Sequence, residues 1–518
     1  MLHYDASLPE LTLPLALLRT AGRVGPKTAI LEDQNREPMT YDRLILGAQV
    51  LGRVFAARTA PGEAVGVLLP NVNAVAATIF GLLWHGRTVA MLNFTSGLKN
   101  LRSACTTANI RLVITSRLFV AKGGLEDLVE GLGEQAEILY LEDVRKTIGT
   151  AAKLRGVWDK LRAASVAKAS GTTPDSHAFI LFTSGSEGEP KGVVLTHRNI
   201  LTNIAQIAAH IDLRQFKTFF NPLPVFHCFG LTGGLLLPLI DGIRMVLYPS
   251  PLHYREIPKL VGETGADLLF GTDTFVAGYA RAADPADLKS VKMIVCGAER
   301  VKPETRALWE PHGTRIVEGY GATECSPVVA LNTPEANRPG TVGPLLHGID
   351  YRLEPVKGIH EGGRLSVKGG NVMAGYLLPG DGGKLTPPDG GWHDTGDIVT
   401  VGNDLVVTIK GRAKRFAKLG GEMVSLGAIE ALASQLWPQH SHVSVSVDDG
   451  KKGEKVVLVT DMENAARADL QAYAKAEGVP DLWVPKAILV VDAIPVLGSG
   501  KADYGAAQRL VEDRNSLL

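Results

Sequence analysis

Apolar residues along the chain fall into short runs that alternate with stretches of helical period. Residues 64–70 read AVGVLLP, a helix is predicted from 71 to about 86, and a second apolar run follows at 88–93. The same order recurs at 291–299 and 314–321, on either side of a helix that starts near Pro303. Such repeats predict parallel α/β layers. Ligands of such sheets gather outside the carboxyl ends of the strands.

The pattern changes from about Gly343 to shorter alternating runs with many glycines, which predict an antiparallel sheet. Beyond Arg412, mixed strand and helix patterns form a compact stretch that continues to the end of the chain. We therefore predict an α/β protein with two domains. Residues 1–412 form a large N-terminal domain of layered α/β subdomains plus an antiparallel β subdomain, and residues 413–518 form a small α+β C-terminal domain.

The segment 182–200, FTSGSEGEPKGVVLTHRNI, places a Gly- and Ser-rich loop after the apolar run 178–182 and before isoleucines at helical spacing. It predicts an anion-binding loop at a strand-to-helix junction, because glycines let backbone N–H groups approach a phosphate and Lys191 can neutralise its charge. A Walker P-loop is excluded, since Gly192 follows Lys191 where Ser or Thr is required. An exposed glycine loop remains the alternative. The loop supplies Thr183, Ser184, Gly185, Ser186 and Gly188.

Four further motifs carry side chains suited to nucleotide chemistry. EGYGATE at 318–324 combines an aromatic ring, a hydroxyl and a carboxylate, and GWHDTGDIV at 391–399 places an aspartate after a tight turn. A basic run lies within 409–430, and 495–504 holds a glycine-flanked lysine. Each alone has an ordinary explanation as a turn, a solvated basic face or a surface lysine. The residues are Tyr320, Thr323, Glu324, Asp397, Lys410, Arg412, Lys414, Arg415, Lys418 and Lys501.

Composition narrows the function classes. The 518 residues include 54 basic and 54 acidic side chains, so the summed charge gives no argument for a nucleic acid partner. The four cysteines include no CxxC pair, which disfavours a zinc site or a disulfide framework. No basic n-region or membrane-length apolar run is present. We expect a cytoplasmic protein without a transmembrane segment, and peripheral contact with the inner face of the membrane stays open.

In order and spacing, the five motifs resemble the adenylate-forming superfamily, which includes acyl-CoA synthetases, luciferases and peptide-synthetase adenylation domains. The resemblance covers essentially the whole chain. It implies ATP and Mg²⁺ as cofactors and a mobile C-terminal domain. It also implies that the loop from Thr183 to Lys191 holds the β- and γ-phosphates of ATP.

The resemblance carries further roles onto single residues. Thr323 and Glu324 would serve the α-phosphate and Mg²⁺, and Lys501 would be the mobile lysine that reaches the reacting groups during adenylation. The adenine pocket would be lined by Gly297, Ala298, Glu299, Tyr320 and Gly321. The ribose would be held by Asp397 and Arg412, with Lys414 at the hinge between the domains.

The segment 222–234, PLPVFHCFGLTGG, bears on the acid substrate. It contains no carboxylate to pair with an α-ammonium group, so an α-amino acid is disfavoured. His227 beside Phe226 resembles the gate of fatty-acid-activating members, although a satisfied core histidine gives the same pattern. The glycines predicted to leave room for an alkyl chain are Gly230, Gly233 and Gly234.

Longer strings at 250–261, 269–281, 411–426 and 495–504 resemble acyl-acyl carrier protein (ACP) synthetases, including the ligase half of the bifunctional acyl-ACP synthetase/2-acylglycerophosphoethanolamine acyltransferase. The basic run from Lys410 to Lys418 would suit an acidic carrier protein or the phosphates of CoA. We expect ATP-dependent activation of a medium- or long-chain fatty acid to acyl-AMP and transfer to holo-ACP. A fatty acyl-CoA synthetase is the first alternative. A non-catalytic acyl- or nucleotide-binding module and a phosphotransferase are more remote.

Overall fold

A computed structural model describes residues 2–184, 189–359, 361–412, 415–419, 422–448, 454–496 and 502–515 of the chain. The chain separates into two compact units. The first unit comprises residues 1–339, 343–350 and 368–393, and the second comprises 340–342, 351–367 and 394–518. The second unit thus takes in most of the antiparallel sheet as well as the C-terminal residues. A domain boundary after Arg412 stays a prediction.

Helices and strands alternate through most of the first unit, as the sequence predicts. The helices are α1 (Leu13–Val24), α2 (Tyr41–Ala56), α3 (Asn73–Trp84), α4 (Leu98–Thr107), α5 (Arg117–Gly123), α6 (Glu126–Gly133), α7 (Leu141–Thr147), α8 (Thr150–Leu161), α9 (Ala163–Ala169), α10 (His197–His210), α11 (Leu237–Asp241), α12 (Glu256–Thr264), α13 (Asp273–Ala282), α14 (Pro303–Trp309), α15 (Leu426–Leu436), α16 (Arg467–Ala476) and α17 (Tyr504–Asn515).

The strands are β1 (Ala29–Glu32), β2 (Met39–Thr40), β3 (Ala64–Val67), β4 (Thr88–Met91), β5 (Leu112–Thr115), β6 (Glu137–Tyr140), β7 (His177–Ser184), β8 (Pro190–Thr196), β9 (Thr218–Asn221), β10 (Arg244–Leu247), β11 (Leu268–Gly271), β12 (Met293–Cys296), β13 (Arg315–Gly321), β14 (Val328–Leu331), β15 (Asp350–Glu354), β16 (Gly363–Lys368), β17 (Gly375–Leu377), β18 (Leu385–Thr386), β19 (His393–Val401), β20 (Val407–Arg412), β21 (Phe416–Leu419), β22 (Glu422–Ser425), β23 (His442–Asp448), β24 (Glu454–Thr460) and β25 (Ala487–Val490).

Two eight-stranded sheets form the first unit. One has the order β18-β17-β8-β7-β4-β3-β5-β6, and the other β14-β13-β12-β11-β9-β10-β1-β2. The strands from β7 to β6 of the first sheet run parallel, and so do those from β13 to β1 of the second. Antiparallel strands complete the edges. The interior parallel strands are mostly buried, and β4, β5, β9 and β11 are buried at every position, as strands covered on both faces must be. The edge strand β6 has one buried residue, Leu139.

Helix α10 links the two sheets of the first unit. It follows β8 directly, and the Asn203 amide nitrogen donates to the carbonyl of Val328 in β14 (2.8 Å). A capping box begins the helix, with the Thr196 hydroxyl accepting from the backbone of Asn199 and the Asn199 side chain accepting from the backbone of Thr196. The helix is buried along most of its length, so its polar side chains are satisfied by neighbouring loops instead of water.

The second unit is α+β: β19–β20, β21–β22 and β23–β24 pair antiparallel, and β24–β25 pair parallel. Its four-stranded sheet has the order β15-β16-β19-β20, followed by the hairpin β21-β22 and the sheet β23-β24-β25. Helix α15 packs on β23, and α17 packs on the same strand through Ala507 and Val511. No helix in the described part of the chain is both long and apolar enough to cross a membrane.

Candidate active site

The Gly- and Ser-rich loop lies in a β-hairpin, which corrects the predicted strand-to-helix junction. Strand β8 comes between the loop and α10 and pairs antiparallel with β7, with Thr183 opposite Lys191. Val193 and Val194 are fully buried because β8 lies between β7 and β17. The N-terminus of α10 is therefore a whole strand away from the loop along the chain, and its dipole does not act on an anion bound there.

Only the two ends of the loop belong to the described residues. Thr183 is half-buried at the end of β7, and Ser184 pairs with Pro190 in the ladder. The predicted positions Gly185, Ser186 and Gly188 lie outside the described residues. The phosphate cradle therefore stays a prediction.

Lys191, Tyr376 and Glu324 come together from three separate parts of the sequence. Strand β17 pairs with β8, which places the Lys191 ammonium nitrogen 5.6 Å from the centroid of the Tyr376 ring. The Tyr376 hydroxyl donates to Glu324 Oε1 at 2.7 Å. The Lys191 ammonium group, the Tyr376 ring and the Glu324 carboxylate thus lie next to one another in space, beside the hairpin. Tyr376 is not among the residues predicted from the sequence, where its only signal is an aromatic residue after Gly375 in a short run.

The loop that carries Thr323 and Glu324 is braced by its backbone. It forms a single 3₁₀ turn, Thr323–Cys325, between β13 and β14. The Met373 N–H donates to the Glu324 carbonyl (2.8 Å), and the Asn371 amide nitrogen donates to the Cys325 carbonyl (2.8 Å). At Gly321 any Cβ would lie 2.3 Å from the Pro327 carbonyl oxygen, so glycine is required there. The Glu324 carboxylate therefore projects from a well-supported turn.

The predicted adenine-pocket residues share one sheet edge. Gly297, Ala298 and Glu299 follow β12, while Tyr320 and Gly321 end its parallel neighbour β13. The Glu299 carboxylate accepts from the backbone N–H and hydroxyl of Thr274 (3.1 and 3.0 Å), in the first turn of α13. Tyr320 is 8% exposed. Glu299 thus has a structural partner and Tyr320 is buried, and their contact with adenine stays a prediction.

His227 lies in the segment that leaves the carboxyl end of β9, at the same edge of the second sheet. Its ring centroid is 4.7 Å from that of Phe226, which in turn packs edge-on against Phe94 at 5.0 Å. The His227 carbonyl accepts from the Leu231 N–H (2.9 Å) at the start of a π-helix, Phe229–Leu236. Because π-helical turns occur frequently at functional sites, the π-helix after His227 supports a functional role for this segment.

Two of the glycines in this segment do not leave open space, contrary to expectation. A Cβ at Gly230 would lie 2.3 Å from the Pro224 carbonyl oxygen, and one at Gly234 would lie 2.1 Å from the Asn221 amide nitrogen. These glycines let the π-helix pack tightly on the end of β9. At Gly233 a Cβ would make ordinary contacts with Phe229 and Phe270, at 3.4 and 3.7 Å.

The cysteines offer no reactive thiol. All four are buried, and burial raises the pKa of Cys105 and of Cys228 to about 12. Burial also raises the pKa of Cys296 and Cys325, and the nearby Glu324 charge adds to the increase at Cys228 and Cys325. Because a thiol reacts as the thiolate, burial disfavours these cysteines as nucleophiles at neutral pH.

A metal ion at this site would depend on Glu324 and the substrate together. The described residues contain no cluster of three or more His, Cys, Asp or Glu side chains that could hold a metal. Mg²⁺ is commonly held by one or two carboxylates with the remaining ligands from phosphates and water. Glu324, half-buried at the strand edge, fits that pattern.

The predicted ribose residues lie in the second unit. Asp397 in β19 is opposite Arg412 in β20, and Arg412 Nε lies 3.3 Å from Asp397 Oδ1. The Asp397 side chain is 9% exposed and that of Arg412 is 74% exposed. The predicted hinge Lys414 and the predicted mobile Lys501 lie outside the described residues.

The basic run is not one continuous charged surface. Arg415 donates to the Ser444 carbonyl (2.7 Å) and to Glu430 Oε1 (2.5 Å), and its guanidinium stacks 3.7 Å from the centroid of the Tyr504 ring. Its side chain is only 17% exposed. Arg415 is therefore packed and paired within the second unit. It adds little positive charge to the surface that was expected to bind an acidic carrier protein.

The parallel sheets, with Lys191, Tyr376 and Glu324 brought together beside the β7–β8 hairpin, are the arrangement expected of a nucleotide-binding α/β enzyme. The AMP-binding enzyme family matches residues 17–377, and the chain belongs to this family. The predicted class, an AMP-forming acid–thiol ligase, is confirmed at the level of the family. The narrower resemblance to acyl-ACP synthetases is not.

Named relatives and solved structures agree with this class. The chain is 27% identical to a long-chain-fatty-acid–CoA ligase of Bacillus subtilis over 98% of this chain and 96% of that protein. It is 29% identical to a medium-chain fatty-acid–CoA ligase of Escherichia coli, over 65% of this chain and 62% of the relative. An anthranilate CoA ligase bound to anthranoyl-AMP superposes with a TM-score of 0.79 at 18% identity, covering 97% of this chain and 98% of that one. The predicted α/β fold, with a large N-terminal and a smaller C-terminal domain, is confirmed.

Proposed function

We propose that the chain joins a medium- or long-chain fatty acid to the pantetheine thiol of CoA through an acyl-AMP intermediate. The observation that carries this proposal is the arrangement of Lys191 and Glu324 around Tyr376 beside the hairpin loop. This arrangement suits a phosphate-rich substrate with a divalent cation. Membership of the AMP-binding family and the names of the fatty-acid–CoA ligase relatives support the same reaction.

The reaction has two halves. A carboxylate oxygen of the fatty acid attacks the α-phosphorus of ATP, the bond to the bridging oxygen breaks, and pyrophosphate leaves. The thiol sulfur then attacks the acyl carbon and loses its proton, and AMP leaves with the electron pair of the anhydride bond. Neither half needs a covalent enzyme intermediate, which agrees with the raised pKa of the buried thiols.

Charge determines the roles of the residues. Lys191, at the foot of the loop, would steady the departing pyrophosphate, and the braced Glu324 would hold Mg²⁺. Mg²⁺ bound there would supply positive charge to the phosphate oxygens. Fixed charges aimed at the developing charge accelerate such steps, since they need no reorganisation during the reaction. In the same proposal Asp397 and Arg412 hold the ribose, and Lys501 acts on the reacting groups during adenylation.

The apolar surroundings of His227 support a fatty acid as the substrate. The segment after β9 contains no carboxylate, and the aromatic side chains Phe94, Phe226 and Phe229 pack around it or within it. A buried ammonium group would lack a partner among these residues, whereas an alkyl chain would find apolar contacts. Gly230 and Gly234 pack against neighbouring residues and leave no open space. Other side chains must therefore determine which length of acyl chain the enzyme accepts.

Holo-ACP is the second candidate acceptor. The strings at 250–261 and 495–504 favour it, because they resemble those of acyl-ACP synthetases. However, the basic surface available to an acidic carrier protein is smaller than the sequence predicts, since Arg415 is paired with Glu430 within the second unit. We therefore propose CoA, before holo-ACP, as the acyl acceptor.

The test separates activation from transfer. Fatty-acid-dependent exchange of pyrophosphate into ATP is measured with acids of short, medium and long chain, and CoA and holo-ACP are then offered side by side to the same enzyme. Exchange with medium or long chains and faster thioester formation on CoA are expected. Absence of exchange with every fatty acid would overturn the proposal, and faster transfer to holo-ACP would reverse the order of acceptors.

A further inference from the structure

Helix α8 is docked on the first unit by one face only. A Cβ at Gly156 would lie 2.3 Å from a Val50 methyl carbon, so the backbone of α8 lies directly on α2. The Asp159 carboxylate is 5% exposed and is held by the Arg53 guanidinium, with Arg53 Nη2 at 2.7 Å from Asp159 Oδ1. These contacts fix which side of α8 faces outward.

The outward face of α8 is apolar. Leu154, Val157, Trp158 and Leu161 are 67%, 44%, 58% and 72% exposed. Their spacing of three, four and seven positions places them on one stripe, opposite Gly156 and Asp159. A helix on a protein surface normally turns polar residues to this side. Among the described residues, this stripe supplies four of the thirteen exposed large apolar side chains.

The same region is strongly basic. Between Arg145 and Lys168 the sequence has seven Lys or Arg residues and one acidic residue, while the chain as a whole has 54 of each sign. The acidic residue is Asp159, which is already paired with Arg53. Two of the seven basic residues are also paired, Lys146 with Asp143 and Lys160 with Asp42. Exposed basic side chains border the apolar stripe on both sides, with Lys153 on one side and Arg155 and Arg162 on the other.

We propose that this face of α8 docks on an anionic lipid membrane. An apolar stripe bordered by Lys and Arg is the pattern of helices that lie in the plane of the interface. Its tryptophan suits the headgroup level, and each basic residue near an anionic surface contributes attraction that salt screens. The proposal is independent of the proposed function, because binding needs neither ATP nor a fatty acid.

The test uses the full chain without substrates. It is mixed with vesicles of phosphatidylglycerol and phosphatidylethanolamine, or of phosphatidylcholine alone, and binding is measured by co-sedimentation and tryptophan emission. Binding to the anionic vesicles that weakens with salt is expected, with a blue shift in emission. Trp158→Phe should keep most of the binding but lose the shift, since it removes an exposed member of the six tryptophans.

Two double variants separate the apolar and charge contributions. Leu154→Gln/Leu161→Gln and Arg155→Gln/Arg162→Gln should each weaken binding about tenfold or more. The matched control Leu118→Gln/Leu252→Gln alters leucines that are 62% and 56% exposed elsewhere, and it should bind as the wild type does. Should the leucine variant fail to fold, the arginine variant tests the same proposal.

Three outcomes would overturn the proposal. The wild type does not bind anionic vesicles, or both α8 variants bind as well as the control. The third is a dimer in lipid-free buffer, seen by light scattering, that Leu154→Gln/Leu161→Gln dissociates, because a second copy would then cover the stripe.

Discussion

The two units hold their charged side chains in different ways. In the first unit, Glu324 is fixed by a braced turn and a tyrosine from a separate strand. In the second unit, Arg412 and Arg415 are three positions apart, yet one side chain is 74% exposed and the other 17%. Charge in a sequence therefore does not reveal whether it serves a ligand or the fold. Both arginines have an acidic partner fifteen positions away, Asp397 for Arg412 and Glu430 for Arg415, so the burial of the arginine side chain distinguishes the two cases.

The first prediction tests whether Arg415 belongs to the fold. Arg415→Met should lower the free energy of unfolding of the second unit by about 3 kcal/mol, because the mostly buried Glu430 would lose its counter-charge. The measurement is urea unfolding of the full chain, with hydrogen exchange followed on β23. The double variant Arg415→Met/Glu430→Leu should recover most of the loss. A single variant as stable as the wild type would refute the distinction between Arg415 and Arg412.

The second prediction tests whether Glu324 serves a ligand. Glu324→Gln keeps an acceptor for the Tyr376 hydroxyl but removes the negative charge. Pyrophosphate exchange should fall by about 10²- to 10³-fold, since a fixed electrostatic group at a reacting phosphate contributes on that order. Stability should be unchanged, which urea unfolding checks. A loss of stability that accounts for the lost activity would place Glu324 with Arg415, as a structural residue.

The third prediction concerns Tyr376 as a positioning residue. Tyr376→Phe keeps the ring near Lys191 and removes the hydrogen bond to Glu324. We expect kcat for pyrophosphate exchange to fall about tenfold, as for loss of one hydrogen bond to a charged group. The Mg²⁺ concentration for half-maximal rate should rise, while KM for the fatty acid stays the same. A purely structural role would leave the Mg²⁺ dependence unmoved.

The fourth prediction compares the pH responses of the two units. Burial lowers the pKa of His197 to about 3, and its Nδ1 accepts from the Leu13 N–H (3.1 Å). The unfolded chain binds a proton near pH 6.5 and the folded unit does not, so stability is lost as pH falls below about 6.5. The expected loss is about 1.4 kcal/mol per pH unit. In the second unit burial raises the pKa of Glu430, which gives no such loss on acidification.

Hydrogen exchange at pH 7, 6 and 5 measures the two responses in one sample. Protection in α10 should fall with pH more steeply than protection in β23. His197→Gln should flatten the slope for α10 by about one proton, whatever it does to stability at pH 7. Equal slopes for wild type and variant would show that His197 is not the group responsible.

The layers of the fold were predictable because their strands are buried on both faces and leave apolar runs of strand length. Strand β8 was not predicted, because its run Val193 to Leu195 is short and adjoins a glycine loop on one side and a helix cap on the other. Periodicity gives no sign of which strands become neighbours. Tyr376 therefore became visible only through the pairing of β17 with β8.

The candidate site was predictable to different degrees for the same reason. Glu324 lies within a dense local motif, and its neighbours in sequence already indicate a strand end. From the sequence, Gly230 and Gly234 were predicted to leave room for an alkyl chain. In the structure the space beside each glycine is filled by a neighbouring backbone or side chain. Arg415 was predicted to lie in a basic surface, and only its tertiary partners Glu430 and Ser444 show that it is paired within the second unit.

The smallest expected effect on stability comes from Arg412→Ala. Arg412 Nε lies 3.3 Å from Asp397 Oδ1, and the arginine side chain is mostly in water, which already screens its charge. Although Asp397 is only 9% exposed, removal of the arginine should therefore change the free energy of unfolding by no more than about 1 kcal/mol. If Arg412 helps hold the ribose, KM for ATP should rise about fivefold, equivalent to about 1 kcal/mol. Arg412→Lys should restore little of this affinity, because an ammonium group lacks the guanidinium fork. An unchanged KM together with unchanged stability would leave Arg412 as an ordinary solvated side chain, and the contrast with Arg415 would then be one between fold and solvent.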